Sequence, residues 1–369
     1  MKKLFILLLV SMLSGKLSSQ SWDWKTEWRP DSIESIYGYG KRVLIHSDAG
    51  NYYVLQSSYY SSDSSASYII SFSASGDSLW KQYYPLQIDQ IRANAAGELF
   101  VRASLRDTVE LNGTAVYPDG YNDGIMLHLD ALGNIIAFRN FPGLTQLGGF
   151  CFDGSDLVLS GTYWGETIID GDTLYDNISA NAFLLRTNAS FYTIGSFTTD
   201  CTTCYAGQVE KGDDGNIVFR VNMSGLLYFS DSTLWGNSGN ALLKISPTFN
   251  AIDQVQLSGA YENYFCRFLI DKENNIVMHE WFHWTSSGTG NSVRKLDPAF
   301  NFIWYSSYLG NPLVNINSEM SFDLDEQDNI YFTGFGYNYY ATVVQAYVGK
   351  FNKWGMLQWL LCDSTNGAR

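Results

Sequence analysis

From about residue 40 the chain alternates apolar and polar residues in short runs separated by tight polar turns. Strict alternation over four to eight residues marks a half-buried strand, whose side chains point to opposite faces in turn. The arrangement recurs. A turn followed by an alternating run stands at Ala49-Gly50-Asn51-Tyr52-Tyr53-Val54-Leu55, Ala96-Gly97-Glu98-Leu99-Phe100-Val101 and Asp214-Gly215-Asn216-Ile217-Val218-Phe219. Further copies are Asn274-Asn275-Ile276-Val277-Met278, Asp328-Asn329-Ile330-Tyr331-Phe332 and the looser Gly154-Ser155-Asp156-Leu157-Val158-Leu159. Gly and Asn tolerate positive φ, which predicts two-residue hairpin turns at these points.

A second strand follows some thirty residues on, often ending in Lys or Asp. Its copies are Ile69-Ile70-Ser71-Phe72, Met126-Leu127-His128-Leu129-Asp130, Phe183-Leu184-Leu185-Arg186, Leu242-Leu243-Lys244-Ile245, Val293-Arg294-Lys295-Leu296-Asp297 and Val348-Gly349-Lys350-Phe351. A third strand often carries an aromatic: Ser78-Leu79-Trp80, Ile135-Ile136-Ala137-Phe138, Phe302-Ile303-Trp304 and Leu357-Gln358-Trp359. The turns fall near positions 50, 97, 154, 215, 274 and 328, about 47 to 61 residues apart.

A repeat of that length with about four short strands is a propeller blade. One such sheet cannot cover both of its own faces, but blades packed around an axis cover each other and leave only short edges. The prediction is an all-β fold, a β-propeller of six or seven four-stranded blades, filling residues 21–369 as one domain. Two closures are open. Trp22-Asp23-Trp24 is an extra or closing strand of six blades, or the seventh blade is left incomplete at Arg369.

Composition agrees with this reading. Aromatics are 16% and charged residues 16%, with only 7 Pro. That excludes a disordered, collagenous or coiled-coil chain and disfavours an all-helical one. Residues 1–20 read as a secretory signal peptide: Lys2 and Lys3, the apolar run Leu4 to Leu13, then Ser18-Ser19-Gln20 before a cleavage site near Ser21. No Cys sits there to take a lipid anchor, and no later stretch is long and apolar enough to span a bilayer. A secreted or cell-surface location is expected. Losing the leader removes three Lys, so the net charge moves from −14 to −17, or 20 basic against 37 acidic residues. Such a surface repels phosphate backbones and argues against nucleic-acid binding.

Of the 5 Cys, Cys201-Thr202-Thr203-Cys204 is a candidate disulfide in a Thr-rich, turn-like setting. A thioredoxin-type site would instead need the pair to open a helix. The alternative is two free thiols.

The markers resemble the bacterial SBBP-type β-propeller repeat family. Asp325-Glu326-Gln327-Asp328-Asn329-Ile330-Tyr331-Phe332-Thr333-Gly334 is similar to its first strand, and Arg294-Lys295-Leu296-Asp297 with Trp304 to the rest. The resemblance spans most of residues 40–362. It implies an exported scaffold, of the kind found on secreted or surface Bacteroidetes chains, and it brings no catalytic residues.

Candidate chemistry is sparse. His279-Glu280-Trp281-Phe282-His283 matches a zinc-protease motif, but that motif works on a helix, where two imidazoles one turn apart meet one ion. Here the repeat predicts a strand, on which residues four apart stand about 13 Å apart. No zinc site is expected. Asp323, Asp325 and Asp328, and Asp119 with Asp123, offer oxygens for Ca²⁺ but lack the twelve-residue loop. Asp and Asn in turns usually bond their own backbone. No cofactor is therefore expected, with Ca²⁺ the one candidate. Tyr59-Tyr60, Tyr337 with Tyr339-Tyr340, and Trp281 with Trp284 are candidate sugar platforms, against the alternative that they fill the core. The sequons at Asn112, Asn177, Asn188 and Asn222 matter only in a host that glycosylates Asn.

The expected function is non-enzymatic: a secreted propeller whose loops bind an extracellular protein or glycan. The alternatives are a polysaccharide hydrolase with an acidic pair in the central mouth and a purely structural surface module.

Overall fold

The computed structural model describes residues 42–46, 50–61, 64–119, 123–141, 146–170, 172–229, 232–257, 263–284, 288–307, 315–316, 321–338 and 343–362. The chain is all-β and forms a six-blade β-propeller, the smaller of the two predicted ring sizes.

Each blade is an antiparallel meander in sequence order. Blade 1 holds β1 (Arg42–His46), β2 (Tyr52–Ser61), β3 (Ser64–Phe72) and β4 (Ser78–Tyr84). Blade 2 holds β5 (Gln87–Ala93), β6 (Leu99–Leu105), β9 (Asp123–Leu129) and β10 (Ile135–Phe141), with a small hairpin, β7 (Val109–Leu111) and β8 (Thr114–Val116), between β6 and β9. Blade 3 holds β11 (Gln146–Asp153), β12 (Asp156–Ile169), β13 (Asp172–Thr187) and β14 (Thr193–Thr198). Blade 4 holds β15 (Asp200–Cys201), β16 (Cys204–Lys211), β17 (Ile217–Phe229), β18 (Ser232–Ile245) and β19 (Ala251–Leu257). Blade 5 holds β20 (Asn263–Ile270), β21 (Ile276–Trp284), β22 (Gly288–Leu296) and β23 (Phe302–Ser307). Blade 6 holds β24 (Asn315–Ile316), β25 (Ser321–Leu324), β26 (Ile330–Asn338), β27 (Val343–Phe351) and β28 (Leu357–Cys362).

The core lies between blades. Along the second strand of a blade, successive apolar residues serve opposite neighbours. Val101 packs with Tyr53, Leu55 and Ile69 of blade 1, whereas Phe100 packs with Phe150, Leu159 and Phe183 of blade 3. Leu159 faces blade 2, and Val158 joins Val209 and Phe219 of blade 4. The same division sends Val218 to blade 5 and Val277 to blade 6. A sheet buried on both faces needs apolar residues at consecutive positions, which explains runs such as Ile217-Val218-Phe219.

The turns between first and second strands were expected to be two-residue hairpins. Among the described turns only Gly154-Ser155 is one. Those at 94–98, 212–216, 271–275 and 325–329 are five-residue loops, and the same loop joins third and fourth strands. Residue one accepts a hydrogen bond from the N–H of residue four, and its own N–H donates to the carbonyl of residue five, as at Asp130, Asp271, Asp297, Asp325 and Asn352. The side chain of residue one also accepts from the N–H groups of residues three and five; in Asp297 these are Ala299 and Asn301, at 2.9 and 2.8 Å. Residue four carries positive φ, which is why Gly recurs there. Asp271 and Asp325 are thus held by their own loops.

The basic end of the second marker has a partner in its own blade. His128–Glu98, Arg186–Asp153, Lys244–Asp214, Lys295–Asp271 and Lys350–Asp325 lie 3.3, 2.7, 3.9, 2.6 and 3.6 Å apart. The third marker reaches the next blade instead. Trp80 donates its indole N–H to the Ala131 carbonyl, and Trp304 donates to that of Lys353. Both rings lie on the turn glycine beyond: a Cβ at Gly133 would sit 3.0 Å from Trp80, and one at Gly355 would sit 2.5 Å from Trp304.

Where the outer strand lacks Trp, the next turn carries Phe. Ala137, Gly195 and Asp253 hold the Trp80 register position in blades 2, 3 and 4. The following turns place Phe191, Phe249 and Phe300 at φ 66°, 60° and 60°. Left-handed backbone is unfavourable for a bulky residue. Burying a phenylalanine ring between blades, worth about 1.5–3 kcal/mol, offsets that cost.

Trp304→Ala is expected to lose about 3 kcal/mol in chemical denaturation. Gly355→Val should be at least as damaging, since it adds strain at φ 78° and a clash. Trp359 occupies the same register opposite Lys350, so Trp359→Ala is expected to weaken the ring at the blade 6 to blade 1 seam. Acid should weaken the turns as well. The Asn301 side-chain amide, then the backbone N–H groups, hold Asp297 below the usual carboxylate range. Its contribution is complete above about pH 4 and disappears as pH falls through its folded value. Asp297→Asn, which keeps the acceptor, should retain stability at pH 7 and flatten the loss below pH 4 in thermal melts.

Candidate functional site

The first strands of successive blades meet around the axis at β1 and β5, β11 and β16, β16 and β20, and β20 and β25. Those of blades 2 to 5 share a bulge partway along, between Ile88 and Gln90, Leu147 and Gly149, Ala206 and Val209, and Phe265 and Arg267. A bulge turns side chains out of the regular alternation. Here it lies beside a group of polar and charged residues at the axis.

Gln90 donates to the Phe150 carbonyl at 3.0 Å and accepts from the Phe150 N–H at 3.2 Å. Gln208 makes the same pair of bonds to Phe268, at 2.6 and 3.1 Å. Each amide side chain thus completes an extra strand-to-strand link between neighbouring blades. Between blades 3 and 4 the backbones themselves abut, and a Cβ at Gly148 would lie 2.6 Å from the Ala206 carbonyl oxygen. Ser160 donates to the Gly207 carbonyl there at 2.5 Å.

Arg92 of blade 2 forms an ion pair with Glu210 of blade 4, and their side chains are 29% and 10% exposed. Gln208 Nε2 donates to the same carboxylate oxygen at 2.8 Å. Burial works against the Arg92 charge, but Glu210, with Asp323 of blade 6 behind it, more than restores it and leaves its pKa raised. Burial, followed by Glu210, pushes the Cys151 thiol far up, so it stays protonated. Asp153 at the end of β11 receives Lys211 and also Arg186, the latter at 2.7 Å. Arg102 donates to the Leu147 carbonyl. Burial lowers its pKa and Arg267 adds to the effect, while Asp89 opposes both. The axis is therefore a cross-linked cluster of charged and polar groups drawn from at least four blades.

The other candidates fall elsewhere. His279 to His283 lie on β21, paired with Val293 to Thr289 on β22. His279 is fully buried. Glu280 is buried beside Arg294 at 3.0 Å and Ser292 at 3.4 Å, and burial raises its pKa against both. Among the described residues no group of three His, Cys, Asp or Glu could hold a metal ion. Asp325 accepts from Gln327 and Asn329 N–H groups, and Asp123 accepts from the Asp119 N–H. Asp323 is exposed, and Lys272 N–H donates to Asp328. Cys201 and Cys204 form a disulfide that closes the entry to β16. The side chains of Tyr59, Tyr60, Tyr337, Trp281 and Trp284, and all of Tyr339-Tyr340, lie outside the described residues.

Sequence reasoning missed Arg92, Gln90, Gln208 and Glu210. A signal was present: Gln90 stands seven residues before Gly97, and Gln208 seven before Gly215. Two matching glutamines at one repeat offset mark a position that meets the same neighbour in each blade.

No family model matches the chain, and no curated protein matches it. Solved structures do. A subtype N10 neuraminidase-like protein of A/little yellow-shouldered bat/Guatemala/060/2010 is 9% identical with a TM-score of 0.50, covering 88% of this chain and 95% of its own. A PL25 polysaccharide lyase, an ulvan lyase, is 9% identical at TM-score 0.49, with 80% and 76% coverage. A protein of unknown function from Dyadobacter fermentans is 9% identical at 0.47, with 88% and 94% coverage. At these identities the likeness bears on the fold alone. Among the described residues no helix is long and apolar enough to cross a membrane.

Removing one partner of a buried ion pair leaves an uncompensated charge, at about 3–5 kcal/mol. Glu210→Ala is expected to lose stability on that scale in urea denaturation. The double change Arg92→Met with Glu210→Leu should recover much of it.

Proposed function

We propose that this chain is a secreted, non-enzymatic β-propeller that binds an extracellular glycan or protein, or serves as a scaffold between such partners. The observation that carries this reading is the occupation of the axis. Three of the carboxylates gathered there are held by other side chains: Glu210 by Arg92 and Gln208, Asp153 by Arg186 and Lys211, and Asp89 by Ser104 and Gln87. Catalysis by an acidic pair needs one carboxyl free to give a proton and another about 5–9.5 Å away as base or nucleophile. Side chains committed to holding blades together do not serve that role. Export is supported by the leader-like residues 1–20 and by the resemblance to SBBP-type repeats, which are at home on secreted and surface chains. The acidic balance suits an extracellular surface.

The competing reading is a polysaccharide hydrolase. It is favoured by one observation: Glu210 and Asp323 both act on the Arg92 charge from separate blades, as converging acids in a mouth would.

One experiment separates the two. The purified chain without residues 1–20 is screened on a glycan array and against extracellular proteins, with a parallel assay for new reducing ends or unsaturated products on soluble polysaccharides. Binding without product release, unchanged in Asp323→Asn, is expected. Product release abolished by Asp323→Asn would establish the hydrolase instead.

A further inference from the structure

An exposed ring and a half-buried one meet on the end of the propeller away from the capped turns. Tyr205 lies at the entry of β16 and is 43% exposed. Trp164 lies far along β12 of blade 3 and is half-buried. Their ring centroids are 5.9 Å apart and the planes meet at 58°, forming an open aromatic corner across the seam between blades 3 and 4.

Three devices fix this corner. Trp164 precedes Gly165, at φ 64°, where the β12–β13 register shifts. Blade 4 has the same irregularity at Gly225, but the residue before it is Ser224, so the bulge belongs to the long hairpins and only blade 3 arms it with a ring. Tyr205 directly follows the Cys201–Cys204 disulfide. The loop carrying that disulfide is pinned to β17: Thr202 N–H donates to the Leu226 carbonyl at 2.8 Å, and Ser224 N–H donates to that of Thr203 at 2.9 Å. Finally, the Ala206 N–H donates to Thr162 Oγ1 at 2.8 Å, tying the two ring-bearing strands together beside the corner.

The polar groups beside the rings are an amide and a hydroxyl, with the Arg220 guanidinium packed on Gly207 two residues further along. Asn222 is the register partner of Tyr205 and is exposed, and Ser224 follows on the same face, also exposed. A rigid pair of ring faces beside an amide and a hydroxyl suits a ligand with an apolar face and a hydroxyl-bearing edge. Two rings are too small for a stable protein interface, which needs about 800 Å² per partner. The net charge of −14 disfavours uronate or sulfated chains.

We propose that Trp164 and Tyr205 form a binding site for a neutral saccharide, stacking a pyranose ring while Asn222 and Ser224 meet its hydroxyls. This inference rests on the binding reading above and names its ligand class.

The test uses the chain lacking residues 1–20, made in a host that does not glycosylate Asn, so that Asn222 is unmodified. Native gels containing mixed-linkage β-glucan, galactomannan or xylan report retardation, with alginate as an acidic control. Titration with the oligosaccharides of whichever polymer retards it reports tryptophan fluorescence. The wild type should be retarded by at least one neutral polymer and not by alginate. Trp164→Ala and Tyr205→Ala should each weaken binding at least about tenfold, or about 1.4 kcal/mol, in protein that still shows a cooperative folded-state melt. Tyr205→Phe, which keeps the ring, should retain most of it. Absence of retardation by every neutral polymer overturns the site, even if a protein partner is captured and the broader reading stands. Binding that survives Trp164→Ala and Tyr205→Ala overturns it too, and leaves glycan recognition elsewhere on the molecule. Release of sugar products overturns the non-enzymatic reading instead.

Discussion

Every blade depends on being covered on both faces by its neighbours. A sheet such as β11–β14 carries apolar residues at consecutive positions, so half of them would face water if either neighbour were missing. Leu159 and Phe183 need blade 2, and Val158 and Leu184 need blade 4. The ring therefore supplies the burial that a lone four-stranded sheet lacks. It also explains why residues at seams are matched in size. Trp80 and Trp304 meet turn glycines, while Ala137, Gly195 and Asp253 precede turns that carry a phenylalanine. A seam filled from one side has no room for a second large ring. Close packing makes the exchange all-or-none.

The axis follows from the same constraint. Inner strands present backbone and side chains to a narrow space shared by several blades, where an unpaired polar group would be costly. Gln90 and Gln208 resolve this by satisfying an N–H and a carbonyl of the next blade. Arg92 and Glu210 resolve it by neutralising each other across the blade between them. Gly148 resolves it by having no side chain at all. Such a centre holds the geometry of the ring and ties chemical groups to structure.

The two ends differ in what their side chains are doing. At one end, Asp130, Asp271, Asp297 and Asp325 are absorbed by their own turns. At the other, Tyr205 and Trp164 stand out from a disulfide-anchored entry and a bulged strand, with hydrogen-bonding capacity beside them in Asn222 and Ser224. The proposed binding function rests on this contrast between polar groups committed at the centre and aromatic surface at one end.

The sequence by itself determined the local structure and the repeat. Alternation placed the strands, and it kept His279 to His283 on β21 rather than a helix. The periodic turns led to a propeller, because local patterning and turn chemistry are governed by neighbours along the chain. Asp and Asn at the turn starts were also legible as backbone-bonding groups, although the five-residue loop itself was mistaken for a tighter one. Only the tertiary structure chose six blades, since the closing number depends on the angle between packed sheets. It alone joined Arg92 to Glu210, Gln208 to Phe268 and Trp304 to the Gly355 turn. These contacts link residues in different blades, and their chemistry is invisible until the ring brings distant strands within reach. Trp164 and Tyr205 sit in separate blades for the same reason. Each reads as one more aromatic on a strand, and only the seam between blades 3 and 4 makes them a pair.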